Sequence, residues 1–164
     1  MATPARTSAT AAATRGRRSY RHGDLRRALL DAGVALAREG GPDAVVLREA
    51  TRRAGVVPNA AYRQALLDAV RIVALDQLAL AMEQQMAVAA QVAEPADRAR
   101  ALLRAVGVAY VGFAESQPGL FRTAFSGTAA PAAPVTEPVD LPANGRDPLA
   151  LLGSALDAMV AADV

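Results

Sequence analysis

The sequence predicts an all-α protein in which a small helix-turn-helix headpiece precedes a helical domain. Three observations carry that expectation. Apolar residues make up 52% of the 164 while aromatics supply only 4%, so the core must be assembled from Leu, Val and Ala at helical spacing rather than from large rings. Proline and glycine fall at intervals that punctuate apolar runs of helical period. The charge is divided: residues 1–63 carry twelve Arg against five acids, net +7, and residues 64–164 carry six Arg against eleven acids, net −5, within an overall +2. A basic first third on an acidic remainder points to a polyanion partner for the first third alone.

The opening "MATPARTSATAAATRGRRSY" has no acid and no apolar periodicity, so residues 1–19 are expected to form a disordered basic arm. "HGDLRRALLDAGVALAREGG" reads as a helix with Asp24 as N-cap, an apolar stripe through Leu25, Leu29, Ala32, Val34 and Leu36, and Gly40-Gly41 as the stop. After the Pro42-Asp43 turn, "AVVLREATRRAGV" predicts a short second helix. Leu47, Ala50 and Ala54 point inward, Arg48, Arg52 and Arg53 point outward, and Gly55 ends it. "VPNAAYR" restarts helically at Pro58, whose missing N–H costs nothing in a first turn. From Gln64 to about Ala93 no Gly or Pro interrupts a run of strong helix formers, so one long helix is expected. Pro95 opens the next helix, which runs to Pro118-Gly119, and "GLFRTAF" makes a short one. The proline-rich stretch 126–147 reads as a loop, and Pro148 opens the last helix.

The composition also excludes chemistry. There is no cysteine and one histidine, His22, so neither thiolate catalysis nor a Cys- or His-rich metal site is available. No acid, base or nucleophile can be assigned in a nameable pocket, so an enzyme is not expected, nor any cofactor. No run of about eighteen apolar residues occurs, so no membrane span is expected; the expected location is cytoplasmic.

"YRHGDLRRALLDAGVALAREGGPDAVVLREATRRAGVVPNAAYR", Tyr20 to Arg63, resembles the DNA-binding headpiece of the tetracycline-repressor (TetR) family of bacterial transcriptional regulators. "AYVGFAESQPGLFRTAFS", Ala109 to Ser126, resembles the middle of the ligand-binding domain in one branch of it. The division implied is 1–19 arm, 20–63 DNA-binding headpiece and 64–164 regulatory domain. The resemblance implies a repressor that binds double-stranded DNA as a homodimer and answers to a small apolar ligand.

In such a headpiece Pro58, Asn59, Ala60 and Ala61 form the first turn of the reading helix. Asn59 is the candidate for a base contact, because its amide can pair with adenine. The resemblance gives Tyr62 a phosphate contact, and Arg63 can make another. Arg48, near the start of the preceding helix, is placed to clamp a phosphate, while Arg15, Arg17, Arg18 and Arg21 can follow the backbone or enter a minor groove. Tyr110, Phe113, Phe121 and Phe125 are the candidate pocket wall, with plain core packing as the competing reading.

The chain departs from the family pattern in three places. Val46 and Val57 stand where Ser or Thr usually caps the second and third helices. Tyr62-Arg63 meets "QALL" directly, where the family has a further turn with a His-Phe pair. Family members also continue with two more helices that build the dimer interface. The competing function is therefore a shortened helical remnant that pairs with an intact relative and does not bind DNA.

Overall fold

A computed structural model describes residues 9–55, 63–126 and 146–164. Among them there is no strand. The elements are α1 (Ala9–Gly40), a 3-10 turn (Pro42–Ala44), α2 (Leu47–Ala54), α3 (Arg63–Ala89), α4 (Pro95–Ser116), α5 (Pro118–Phe125) and α6 (Pro148–Ala161).

α1 begins earlier than expected. The arm predicted over residues 1–19 is helical from Ala9 on, and Asp24 lies inside the helix rather than capping it. The physical reason is local: Ala9, Ala11, Ala12 and Ala13 with Arg15, Arg17 and Arg18 are strong helix formers without an intervening proline, so nothing halts propagation back past Asp24. At its other end α1 stops where expected. Gly41 takes φ 80°, a left-handed conformation open to glycine, and donates its N–H to the Ala37 carbonyl at 2.8 Å.

α2 has no side-chain cap, because Val46 at its N-cap has no oxygen to offer. That absence typically costs about 1 kcal/mol. Its far end is closed by Gly55 at φ 69°. Ala50 and Thr51 are its buried residues. The Thr51 hydroxyl is satisfied within the helix, donating toward the carbonyls of Leu47 and Arg48 at 2.9 Å each.

α3 is the central helix, in contact with α1, α4, α5 and α6. Leu66, Val70, Ala74, Leu78 and Met82 recur every fourth residue and are all buried, as a one-faced stripe requires. The helix ends at Ala89, four residues before the expected limit, and a turn leads to Pro95. α4 and α6 open alike: Glu94 accepts from the Asp97 N–H at 2.7 Å and Asp147 from the Leu149 N–H at 2.9 Å, with proline next in line each time. These two carboxylate caps stand beside prolines that the sequence marks as helix starts. Arg146 then fastens the start of α6 to α3 through Glu83 at 2.8 Å and Asp76 at 3.5 Å.

The core holds Leu36, Ala37, Val45, Val70, Leu78, Phe113, Leu120 and Ala124 in one cluster. It therefore runs unbroken from the first helix into the later domain. Buried side-chain polar atoms without a partner are absent among the described residues.

Candidate nucleic-acid interface

The basic first third presents its charge unevenly. On α2, Glu49 receives Arg52 through Nη2 at 2.7 Å and Nε at 2.8 Å, and also Arg53 Nε at 3.0 Å. Arg53 reaches back to α1, donating from Nη1 and Nη2 to the two Glu39 oxygens at 2.7 and 2.9 Å. The chain Arg52–Glu49–Arg53–Glu39 thus pins α2 to the C-terminal end of α1. Two guanidiniums that composition would count as DNA contacts are already occupied.

The hydrogen bonds from Arg52 and then Arg53 hold the Glu49 carboxyl down to about 2. The Arg53 pair likewise lowers Glu39, and both arginines are pushed upward by their carboxylate partners. A depressed carboxylate contributes stability that is present above the ordinary carboxylate value and lost as pH falls through the folded value. Glu49→Gln should therefore flatten the fall in urea midpoint between about pH 4.5 and about pH 2, leaving the midpoints of variant and parent converging at the acid end. Parallel pH profiles for the two would contradict the network.

Arg48, one turn before Arg52, is exposed, and its side chain makes no hydrogen bond or ion pair among the described residues. Arg17 and Arg18 lie on the N-terminal part of α1, and Arg63 is the first residue of α3. Pro58, Asn59, Ala60 and Tyr62 lie outside the described residues, as does the join through which the reading helix was expected to meet α3.

The candidate pocket residues are divided by the structure. Phe113 is buried in the α4 face of the core at 7% exposure. Tyr110, Phe121 and Phe125 instead pack on one another, with ring centroids 5.0 Å apart for Tyr110–Phe121, 5.8 Å for Tyr110–Phe125 and 4.9 Å for Phe121–Phe125. Edge-on and tilted pairs at these distances are ordinary aromatic packing. A groove of about 460 Å³ runs between α3 and α4, walled by Leu80, Gln84, Val108, Gly112 and Phe113 among others; of the four aromatics it includes Phe113 alone. Among the described residues no acidic or histidine cluster suits a metal ion, and no helix is long and apolar enough to cross a membrane.

Sequence reasoning missed the joint between the basic unit and the later helices. Arg38 near the end of α1 donates to Gln117 at 3.2 Å and to Gln77 at 3.4 Å. Arg122 on α5 donates to the Gly40 carbonyl at 3.3 Å. Between them Gly119 is pressed so closely on the Ala37 and Arg38 carbonyls that no side chain fits. Pro118-Gly119 was legible as a helix breaker, but nothing local announces which backbone the glycine approaches.

Residues 103–164, which take in most of α4 with α5 and α6, match the family model for a tetracycline-repressor-like C-terminal domain. Over those residues the chain is similar to a TetR-like C-terminal domain. The matched range contains Ala109–Ser126, the stretch that resembles the TetR ligand-binding domain, while the Tyr20–Arg63 resemblance lies ahead of it. No curated protein and no solved structure matches the chain. The described residues form helices without a strand, and residues 103–164 carry the TetR-like match.

Proposed function

We propose that this chain is a TetR-type repressor that binds duplex DNA through its basic first third and is regulated through its helical domain. The observation that carries the reading is the joining, in one chain, of a TetR-like C-terminal domain to an N-terminal unit of net +7. In this reading Arg48 clamps a phosphate, Tyr62 and Arg63 hold the backbone beside it, and Pro58, Asn59 and Ala60 present the reading turn to the major groove. Arg17 and Arg18 extend the contact along the duplex. The exposure of Arg48 beside two neutralised arginines supports giving it that role. A small apolar ligand is received by the helical domain. Two copies read a two-fold operator in the cytoplasm.

Arg48→Ala should weaken binding to the DNA upstream of the gene and to unrelated duplex by a similar factor, about five- to tenfold, and reduce the salt slope by about one. Fluorescence anisotropy with both duplexes measures it. An unchanged slope and affinity would remove Arg48 from the interface. If the parent protein bound neither duplex, the repressor reading would give way to a helical remnant.

A further inference from the structure

The groove between α3 and α4 has a donor-rich end and an apolar middle. From Gln77 to Gln85 it follows α3 for about 12 Å, at about 1.5 Å per residue. At one end Gln77 and Gln117 meet through a shared partner, Arg38 of α1, whose Nε donates to Gln117 Oε1 at 3.2 Å and whose Nη2 donates to Gln77 Oε1 at 3.4 Å. A guanidinium can only donate, so it fixes which way both amides face. Each amide is left with its NH2 group, and neither NH2 has a hydrogen-bond partner among the described residues. That end of the groove therefore offers N–H donors with a cation behind them.

Beyond the donors the walls turn apolar. Leu80 and Ala81 of α3 face Ala109, Gly112 and Phe113 of α4. Leu80 is 38% exposed, and a Cβ added at Gly112 would meet nothing within 4 Å, so the missing side chain holds the groove open. No acidic side chain lines the groove among the described residues. Asp76 and Glu83, the sequence neighbours of Gln77 and Gln84, are turned instead to Arg146.

We infer that this groove binds a slender amphipathic carboxylate, with its head on the Gln77 and Gln117 amides beside Arg38 and its apolar tail along Leu80, Ala109 and Phe113. A carboxylate accepts from both amides at once, and bonds to an ionised acceptor are the stronger kind. The guanidinium behind the amides favours an anion and repels a cation. The tail leaves water for the walls of Leu, Ala and Phe. The inference rests on the ligand-receiving role proposed above and deepens it, giving the apolar ligand an acidic head and naming the place where it lies.

Octanoate and octanol, which share a tail and differ in the head, test it when each is titrated into the full chain and the glutamine NH2 signals are followed in proton–nitrogen NMR spectra. Octanoate should shift the Gln77 and Gln117 signals with a Kd on the order of 0.1–1 mM, and octanol should bind about fivefold more weakly or worse. Arg38→Met should cost octanoate about fivefold while leaving octanol within about twofold, and Arg38→Lys, which keeps the charge, should recover most of the loss. Gly112→Leu fills the groove from a position with free space and should abolish both, while the circular dichroism spectrum stays helical. Equal affinity for the two compounds, octanoate binding that survives Gly112→Leu, or no shift at up to about 10 mM octanoate overturns this site and leaves regulation through the helical domain standing. The affinity for the duplex upstream of the gene, measured with the groove filled, separates the two readings. Octanoate that occupies the groove and leaves that affinity unchanged keeps the site and removes regulation through it.

Discussion

Gly119→Ala lowers the unfolding free energy by about 2–3 kcal/mol and the thermal midpoint by about 5–10 °C. The added methyl group would fall on the Ala37 carbonyl and within 2.7 Å of the Arg38 carbonyl. These are backbone atoms at the end of α1, not the tips of side chains that can swing aside, so α5 itself must retreat. Leu120 and Thr123, both fully buried, move with it. The Arg122 bond to Gly40 and the Arg38 bond to Gln117 lengthen as well, which loosens the joint between the basic unit and the TetR-like domain. Gly153→Ala is the matched control, because a Cβ there meets nothing within 4 Å. It should leave stability unchanged or raise it by up to about 1 kcal/mol. Equal midpoints for Gly119→Ala and the parent would show that α1 and α5 do not touch as described.

Leu78→Ala costs about 3–4 kcal/mol, read as a shift in urea midpoint at constant slope. Leu78 is fully buried at the middle of the α3 stripe, on the helix that contacts α1, α4, α5 and α6. The loss combines the transfer energy of the removed groups with the cavity left among neighbours that cannot all close on it. Val88→Ala, at 72% exposure on the same helix, should change stability by no more than about 0.5 kcal/mol. A cost under about 1 kcal/mol for Leu78→Ala would mean that α3 is not the centre of the fold.

The features legible in the sequence were local. Pro95 and Pro148 each open a helix as expected, and Pro118, read as a breaker, opens α5, because a proline at the first position halts the preceding segment and has its φ already set for the new helix. The spacing of Glu49 from Arg52 and Arg53 also contains their pairing. The Glu39–Arg53 bridge across fourteen residues does not, since it depends on how α2 lies against α1. The backward extension of α1 was missed for a different reason: Asp24 is a good cap, but a cap is not used where alanines allow the helix to continue. The α1–α5 joint required the fold, which alone reveals the backbone contact at Gly119.

In the proposed function the basic first third engages duplex DNA. The most direct measurement of that engagement is the affinity of the full chain for the duplex upstream of its own gene and for an unrelated duplex of equal length, each titrated across a salt series. Tighter binding to the upstream duplex is expected, with a log–log slope of about −0.9 for every phosphate neutralised and several phosphates engaged. Equal affinity for both duplexes with a slope near zero would contradict it.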